Sequence, residues 1–423
     1  MAKVELQPKS GMKLGINGLG RIGKLTLWHH VARKYFSEVV VNIGRKAGTS
    51  LRDLALYVEK DSTYGSLGGY LYGFRGGSVI NHIDEKKGTM DIDGTKVKFL
   101  QETRDPSKIE WEDNGVRLVV DTTGKFRDPT EPPDSPKGAL RGHLEAGAEK
   151  VILSAPFKIK DQSRAMPDDA VTTIMGINED DYDPALHCLV SAASCTTTCL
   201  AHMMKPLIDY FGAGRILTAS MATVHAVTSS QEVLDRMPPA GATDLRKNRS
   251  VFNNIILTTT GAATTLGLVI PEMKRIGFIA ESVRIPTTTG SLVILVVNLL
   301  EEPFSEPIRR EVINWIYKQA AGKDPRGYLH YSEKQYVSSD IIGLPRAAAI
   351  IEANETHTRT AEVSIDIEKV CRMAMENSPP AEEALRPINI AITQAVIYGW
   401  YDNELGSYVN MLADRTVSIA ECM

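Results

Sequence analysis

The first third of the chain alternates short apolar runs with segments whose apolar residues recur at helical spacing. Apolar runs at residues 12–16 and 38–43 flank a helix-like segment at 21–34. Two strands joined by one helix form a βαβ unit, which is the building block of parallel sheets. A further apolar run at 116–121 predicts another buried strand of the same sheet.

The pattern changes along the rest of the chain. A hairpin is predicted at 88–100, with a tight turn at Asp93-Gly94, and the proline-rich segment 128–137 predicts a surface loop. Beyond about residue 214, the apolar runs lengthen and alternate with helical segments, which predicts a second, largely antiparallel domain with helices on one face. The β-rich runs lie at 215–227, 278–285 and 291–300, and the helical segments lie at 261–268 and 305–321.

Length and composition narrow the class of protein. A chain of 423 residues predicts two or three domains, and 48 basic against 52 acidic residues leave a formal charge of only −4. Such a balance of charges gives no positive electrostatic field that would attract nucleic acid. The longest apolar run, 291–300, has about half of the roughly 20 residues that a membrane helix requires. With no secretory signal at the N-terminus, we expect a cytoplasmic protein that binds neither nucleic acid nor membrane.

A glycine-rich turn joins the first strand to the first helix. Gly18, Gly20 and Gly23 form a G-x-G-x-x-G pattern directly after a predicted strand and at the start of a predicted helix. In this position the pattern indicates a dinucleotide site. Gly18 allows the tight turn, Gly20 lets the backbone approach a pyrophosphate, and Gly23 lets the helix sit close to the strand. The pattern predicts a dinucleotide site at the helix start; the alternative is a glycine-rich turn without a ligand.

The end of the second strand leaves the choice between NAD and NADP open. A site that prefers NAD usually has an acidic residue there, which binds the adenosine ribose. This chain has Gly44-Arg45-Lys46 instead. Two adjacent cations suit a 2′-phosphate, although they could also form a solvated basic turn without a ligand.

Cys195 and Cys199 lie four residues apart in Ser191-Ala-Ala-Ser-Cys-Thr-Thr-Thr-Cys-Leu200. An odd total of five cysteines fits a reducing compartment without structural disulfides. The cysteines and His202 show no C-x-x-C pair, so we expect no metal site. Cys195 should begin a helix with Ser194 as its N-cap, where free amides and the helix dipole favour a thiolate; Cys199 should be a small core residue.

A cysteine nucleophile requires a base, for which His225 is the candidate. It lies in Thr223-Val-His-Ala226, at the end of the strand that follows the cysteine helix. Spacing along the chain does not show that the two side chains meet, and a structural histidine is the alternative.

Seven motifs occur in a fixed order along the chain. They are Asp61-Ser-Thr-Tyr-Gly65, Thr122-Thr-Gly124, Ser194-Cys-Thr-Thr-Thr-Cys-Leu200, Thr223-Val-His-Ala226, Thr260-Gly-Ala-Ala263, Ser338-Ser-Asp-Ile341 and Trp400-Tyr-Asp-Asn-Glu404. Together they resemble the motifs of phosphorylating glyceraldehyde-3-phosphate dehydrogenases, each in its expected place. The resemblance covers most of the chain and leaves out 128–137 and 352–388.

The resemblance implies a reaction and a set of site residues. Cys195 would attack the aldehyde of D-glyceraldehyde 3-phosphate, His225 would be the base, and inorganic phosphate would release the thioester as 1,3-bisphosphoglycerate while NAD or NADP is reduced. The substrate phosphate would meet Thr228 and Arg284, and inorganic phosphate would meet Ser194, Thr196, Thr260 and Gly261. The cofactor residues would be Gly18, Gly20, Arg21, Ile22, Arg45, Thr123 and Asn403.

The fold class expected from the pattern and the resemblance together is α/β. A Rossmann-like dinucleotide-binding domain would span 1–194 and be completed by a C-terminal helix at 403–423. An α+β catalytic domain with a mostly antiparallel sheet would span 195–402. Within it, 352–388 is polar and interrupted by prolines, so we expect an insertion with room for one short helix.

The resemblance has departures and leaves alternatives. The family has other residues at five positions, which this chain fills with Ala192, Thr198, Thr288, Thr289 and Ser407. These departures leave the rate of the reaction and the choice of cofactor open. The alternatives are a dehydrogenase of another phosphorylated aldehyde, such as erythrose 4-phosphate, and a dinucleotide-binding regulator without turnover. The family commonly forms homotetramers, and its place in metabolism implies glycolysis or gluconeogenesis.

Overall fold

The computed structural model describes residues 9–161, 163–302, 306–367 and 387–423. The α-helices are α1 (Arg21–Arg33), α2 (Leu51–Glu59), α3 (Leu67–Tyr72), α4 (Gly142–Glu145), α5 (Cys195–Phe211), α6 (Ala262–Val269), α7 (Arg310–Lys323), α8 (Ser338–Ile341) and α9 (Asn410–Ala420). The strands are β1 (Lys13–Asn17), β2 (Glu38–Asn42), β3 (Lys60–Asp61), β4 (Gly65–Ser66), β5 (Ile80–Asp84), β6 (Thr89–Ile92), β7 (Thr95–Leu100), β8 (Val116–Asp121), β9 (Lys150–Leu153), β10 (Ala170–Thr172), β11 (Leu189–Ser191), β12 (Ile216–His225), β13 (Ile256–Thr258), β14 (Gly277–Arg284), β15 (Ser291–Leu300), β16 (Leu329–Ser332), β17 (Ala349–Glu352), β18 (His357–Ile365) and β19 (Ile388–Tyr401).

The first sheet has the doubly wound arrangement that the βαβ pattern predicts. Within the described residues its strand order is β10-β11-β9-β8-β1-β2-β7-β6-β5, and the pairs from β10 to β7 are all parallel. The chain leaves β1 toward β2 on one side and reaches β8 on the other. The carboxyl ends of these three strands therefore meet at a switch point, where open α/β sheets bind ligands.

The predicted hairpin is confirmed as β6 and β7. Asp93 and Gly94 have φ angles of 50° and 79°, the two positive values of a type I′ turn. The segment 128–137 has neither helix nor strand, as the prolines predict.

The second sheet is mixed but mostly antiparallel. Its order is β13-β14-β12-β15-β19-β17-β16 in the described part of the chain, and only the pairs β12–β14 and β16–β17 are parallel. Burial alternates strictly along β15, and its buried residues join a core with side chains from α5, α6 and α7. The helices therefore cover one face of the sheet. None of the helices in the described residues is long and apolar enough to cross a membrane.

Two predicted segments differ from the structure. The polar segment 352–388 contains β18, which pairs antiparallel with β19 and extends the sheet; residues 368–386, where a short helix was allowed, lie outside the described residues. The helix predicted at 305–321 begins only at Arg310. Pro307 disfavours helical geometry in the residue before it, and the N-cap residue Arg309 has an extended backbone, so the helix begins after it.

The chain returns to the first sheet at its C-terminus. After β19, a π-helical turn at Leu405–Val409 leads into α9, and both contribute side chains to the core that contains Leu25 and Trp28 of α1. The boundary between the two domains at 194 and 195 remains a prediction.

Candidate active site

A cavity of about 880 Å³ opens at the carboxyl ends of β1, β2 and β8. Its walls include three of the cofactor residues predicted in the glycine loop and after β8, namely Gly18, Gly20 and Thr123, together with Arg45. Gly18 has a φ angle of 96°, which an L side chain rarely adopts. A Cβ on Gly23 would lie 2.1 Å from the carbonyl oxygen of Gly18, so only glycine lets the helix approach the strand here.

The cavity suits the pyrophosphate of a dinucleotide. The N-terminus of α1 has no side-chain cap, so the first amides of the helix remain available to an anion. A Cβ built on Gly20 meets no atom within 4 Å, which leaves room at the cavity wall. Ile22 packs against the core instead of lining the cavity, so only its backbone could contribute.

A buried hydrogen-bonded network forms the floor beneath the glycine loop. Asp121 Oδ2 accepts from Asn17 Nδ2 at 2.8 Å and contacts His143 Nε2 at 3.0 Å. Trp111 Nε1 donates to His143 Nδ1 at 2.9 Å, so the proton of the imidazole lies on Nε2 and is donated to Asp121. The other oxygen of Asp121 accepts from the backbone and the hydroxyl of Thr123. The network therefore holds Thr123 at the cavity.

Two arginines line the rim of the cavity near the end of β2. Arg45 lines the cavity, whereas Lys46 does not; Arg104, from the loop after β7, lines it as well. Gly44, with a φ angle of 61°, permits this arrangement, because a Cβ there would lie 2.6 Å from Arg104 Cγ. Neither arginine has an ion pair with a described residue. The sequence offered no motif for Arg104.

One carboxylate lines the same cavity. Asp53 Oδ2 accepts from the backbone and hydroxyl of Thr49 and from the backbone of Ser50, which places it at the N-terminus of α2. These hydrogen bonds lower the pKa of Asp53. This carboxylate is engaged in capping the helix.

The predicted nucleophile and base meet where the two domains join. Cys195 begins α5, and Ser194 caps it by accepting from Thr197 N at 3.2 Å, as predicted. His225 ends β12, and its Nε2 lies 3.6 Å from Cys195 Sγ. Cys199 is buried and its sulfur contacts Met203 and the Gly399 carbonyl oxygen, so its prediction as a core residue is confirmed.

Burial changes the expected electrostatics of this pair. Desolvation raises the pKa of the Cys195 thiol, against the lowering effects of Arg284 and of hydrogen bonds from Thr196. Desolvation, followed by Arg284, lowers the pKa of His225 to about 3. Burial therefore opposes the thiolate that the helix terminus was expected to favour, because it stabilises the neutral thiol and the neutral imidazole.

Arg284 ends β14 directly beside His225, because the two residues pair in the parallel register of β12 and β14. Its Nη1 contacts His225 Nδ1 and donates to the Ala226 carbonyl oxygen at 3.1 Å. Its buried Nε has no partner, and no carboxylate of a described residue forms an ion pair with it. A partly buried cation without a counter-ion is suited to binding an anion.

The hydroxyl groups of three other predicted phosphate-binding residues already have hydrogen-bond partners. Ser194 Oγ is engaged at the cap, and Thr196 Oγ1 lies 2.9 Å from the hydroxyl of Tyr401, which also contacts Thr223. Thr228 follows His225 by three residues, and its hydroxyl bonds to Gln231.

Thr260 and Gly261 lie at the start of α6, and no hydrogen bond links them to Cys195 or His225. Thr260 accepts from Ala262 N at 3.2 Å, and Gly261 is the N-cap residue without a side chain to satisfy the helix amides. The amide of Ala262 is therefore satisfied, and the next amides at the N-terminus of the helix remain available.

The C-terminal motif is tied to both domains by buried hydrogen bonds. Asn403 Oδ1 lies 2.9 Å from Thr289 Oγ1 and 3.3 Å from Ser291 Oγ. Thr289, one of the departures from the family pattern, also contacts Asp402 at 2.8 Å. The predicted cofactor residue Asn403 is thus held from the second sheet.

The side chain of Arg21, a predicted cofactor residue, does not line the cavity. Its guanidinium bridges Asp61 and Glu404, away from the cavity, and so joins the glycine loop to the C-terminal motif. Only its backbone amide, in the first turn of α1, remains for a phosphate.

Comparisons with known proteins agree with this geometry. A family model for the NAD binding domain of glyceraldehyde 3-phosphate dehydrogenase matches residues 12–129, and one for its C-terminal domain matches 194–369. Glyceraldehyde-3-phosphate dehydrogenase of Streptomyces coelicolor is 35% identical over 416 residues, which cover 96% of this chain and 98% of that protein. Glyceraldehyde-3-phosphate dehydrogenase 1 of Bacillus subtilis is 34% identical over 410 residues, with coverage of 97% and 98%. The chain therefore belongs to the glyceraldehyde-3-phosphate dehydrogenase family of NAD(P)-dependent oxidoreductases.

Proposed function

We propose that this chain oxidises D-glyceraldehyde 3-phosphate to 1,3-bisphosphoglycerate, with Cys195 as nucleophile and His225 as base. The observation that carries this proposal is the 3.6 Å approach of Cys195 Sγ to His225 Nε2, beside an arginine for which the described residues provide no counter-ion. The glycine loop, Thr123 and Asn403 would hold the dinucleotide. Its nicotinamide supplies the hydride acceptor.

The residues of the site support each stage of this chemistry. The Cys195 sulfur bonds to the aldehyde carbon, and its proton passes to the aldehyde oxygen to give a thiohemiacetal. The backbone amide of Cys195, in the first turn of α5, can stabilise the developing oxyanion. His225 takes the hydroxyl proton as the carbon is oxidised to a thioester. Attack by inorganic phosphate then breaks the carbon–sulfur bond, and His225 returns the proton to the leaving sulfur.

The direct test is an assay of NAD and NADP reduction at 340 nm with glyceraldehyde 3-phosphate, with and without inorganic phosphate. We expect turnover that requires phosphate. A higher kcat/KM with erythrose 4-phosphate would identify a different aldehyde as the substrate. Cofactor binding without turnover on either aldehyde would instead identify a regulator.

The adenosine end of the cavity supports a preference for NADP. Arg45 and Arg104 line it without an ion pair in the described residues, and Asp53 is engaged at the start of α2. Guanidinium groups grip a phosphate in bidentate fashion, and the 2′-phosphate of NADP would be placed at this rim.

Replacing Arg45 with alanine is expected to weaken NADP binding by roughly ten- to a hundredfold, as for one lost hydrogen-bonded charge, and to change NAD binding little. Lys46→Ala is the matched control, because this neighbouring cation does not line the cavity. Titration of cofactor fluorescence measures both affinities. An unchanged NADP to NAD ratio in Arg45→Ala would exclude the rim as the 2′-phosphate site.

A homotetramer is supported by the face of the second sheet that the described residues leave uncovered. Leu292, Ile294 and Val296 of β15 alternate with the residues that face the helices and remain partly exposed. Val224 of β12 and Tyr398 of β19 pair with this row and extend it. An apolar surface that crosses several strands is typical of a protein–protein interface.

Replacing Ile294 with lysine is expected to convert the tetramer into smaller species, because the charge would be buried between subunits. Light scattering coupled to size-exclusion chromatography measures the mass. Trp315→Lys, an exposed position on α7, serves as the control that should remain tetrameric. A tetramer that survives Ile294→Lys would place the subunit contacts elsewhere.

The proposed setting is the cytoplasm, with glyceraldehyde 3-phosphate and inorganic phosphate as partners. The near-neutral charge and the free state of the four described cysteines support a reducing compartment and no nucleic-acid partner.

A further inference from the structure

The Nδ1 atom of His225 has two neighbours with opposite requirements. The Ala226 carbonyl oxygen, at 2.7 Å, can only accept, so this contact needs a proton on Nδ1. The guanidinium of Arg284 can only donate, so its contact with Nδ1 needs a lone pair there. A neutral imidazole carries one N–H and can satisfy only one of these two neighbours.

The choice at Nδ1 decides the chemistry at Nε2, which faces Cys195. When Arg284 donates to Nδ1, the proton of the ring is on Nε2, and the imidazole has no lone pair to accept a proton from sulfur or from a thiohemiacetal. When Ala226 accepts from Nδ1, the lone pair is on Nε2, and the imidazole can act as a base. The position of the guanidinium therefore selects the tautomer.

An arriving anion would attract the guanidinium of Arg284 away from His225. The Nε atom of Arg284 lacks a hydrogen-bond partner, and its charge has no counter-ion in the described residues. Thr228 lies just beyond the end of β12, the strand that pairs with β14, so its hydroxyl is a second group for the anion. The ionisable groups that contact the imidazole from other elements are Cys195 of α5, Arg284 of β14 and Tyr401 of β19. Among these, Arg284 is the only one that competes for Nδ1.

We propose that Arg284 is a ligand-operated switch of the His225 tautomer, opened when the phosphate group of a substrate draws the guanidinium away from Nδ1. The proton on Nε2 leaves to solvent while Nδ1 gains one, and the ring stays neutral. This inference rests on the proposed function in taking the anion to be the substrate's own phosphate. It assigns phosphorylated aldehydes as the class that activates the base.

The test is the rate of Cys195 alkylation by iodoacetamide as a function of pH, with and without glycerol 3-phosphate, read by mass spectrometry of the Cys195 peptide. If the switch operates, the anion moves the midpoint of the pH profile downward, because the thiol can then pass its proton to His225. If the anion merely neutralised Arg284, the midpoint would move upward, since the thiolate would lose a stabilising cation. An upward shift or no shift would overturn the proposal.

Two further measurements keep the test independent of turnover. Arg284→Leu should show the lower midpoint without glycerol 3-phosphate and no response to it. In wild-type protein with ¹⁵N-labelled histidine, at a pH below the alkylation midpoint where the thiol keeps its proton, the anion should exchange the protonated nitrogen of His225 from Nε2 to Nδ1, with His225→Asn identifying its signals. Nε2 that stays protonated at this pH with the anion bound would refute the switch. A lack of dehydrogenase activity would count against the proposed function alone, because neither readout uses turnover.

Discussion

Replacing Cys195 with alanine is expected to lower kcat by about 10⁴-fold or more while cofactor affinity stays within about twofold, as for loss of a covalent nucleophile. The sulfur forms the bond on which the proposed reaction depends, whereas the cavity that suits the dinucleotide is lined by other residues. Steady-state assays at 340 nm measure the turnover, and cofactor fluorescence measures the affinity.

The matched control is Cys199→Ala. This second thiol lies one helical turn further along α5, is buried, and contacts Met203 and a backbone carbonyl oxygen. We expect a small loss of stability from the missing sulfur, and turnover close to that of the wild type. Turnover retained in Cys195→Ala, or lost equally in both variants, would reject Cys195 as the nucleophile.

The second large effect is expected for His225→Asn, which should lower kcat/KM by roughly 10²- to 10⁴-fold at neutral pH, the range typical of a lost general base. Burial raises the pKa of Cys195, so the protonated thiol predominates at neutral pH and needs the base. As the pH rises through the thiol pKa, thiolate forms without His225. The deficit of the variant should therefore shrink toward alkaline pH.

His202→Asn is the control for this experiment. His202 is also buried on the catalytic side of the fold, but its Nδ1 bonds to the Thr198 carbonyl oxygen, and it is not in contact with Cys195. Its substitution should lower thermal stability and leave the shape of the pH profile unchanged. A deficit of His225→Asn that is constant with pH would show that the histidine does not remove the thiol proton.

Much of the framework could be predicted because its signals are local. The turn at Asp93-Gly94 needs two positive φ angles, and the glycine loop needs close approaches that only glycine permits. The N-cap at Ser194 follows from one hydroxyl before a helical pattern. Such features depend on neighbours a few residues apart, so the sequence contains their causes.

Other features arise from residues that are far apart in the chain. Arg104 reaches the cofactor rim across Gly44, and His143 meets Asp121 under the glycine loop. Neither position has a motif, because its role depends on which loops the sheet brings together. The strand β18 escaped prediction for a similar reason: its polar residues form a strand through pairing with β19.

By itself the sequence determined the βαβ unit at the start of the first sheet, the hairpin at 88–100, the dinucleotide loop, and a cysteine at the start of a helix, since hydrophobic period, glycine and capping act over short distances. Tertiary structure alone decided that His225 reaches Cys195, that Arg284 lies against His225, and that burial outweighs the helix terminus at the thiol. The physical reason is that desolvation and donor–acceptor competition depend on every group packed around an atom. That set of neighbours exists only once β12, β14 and α5 have come together.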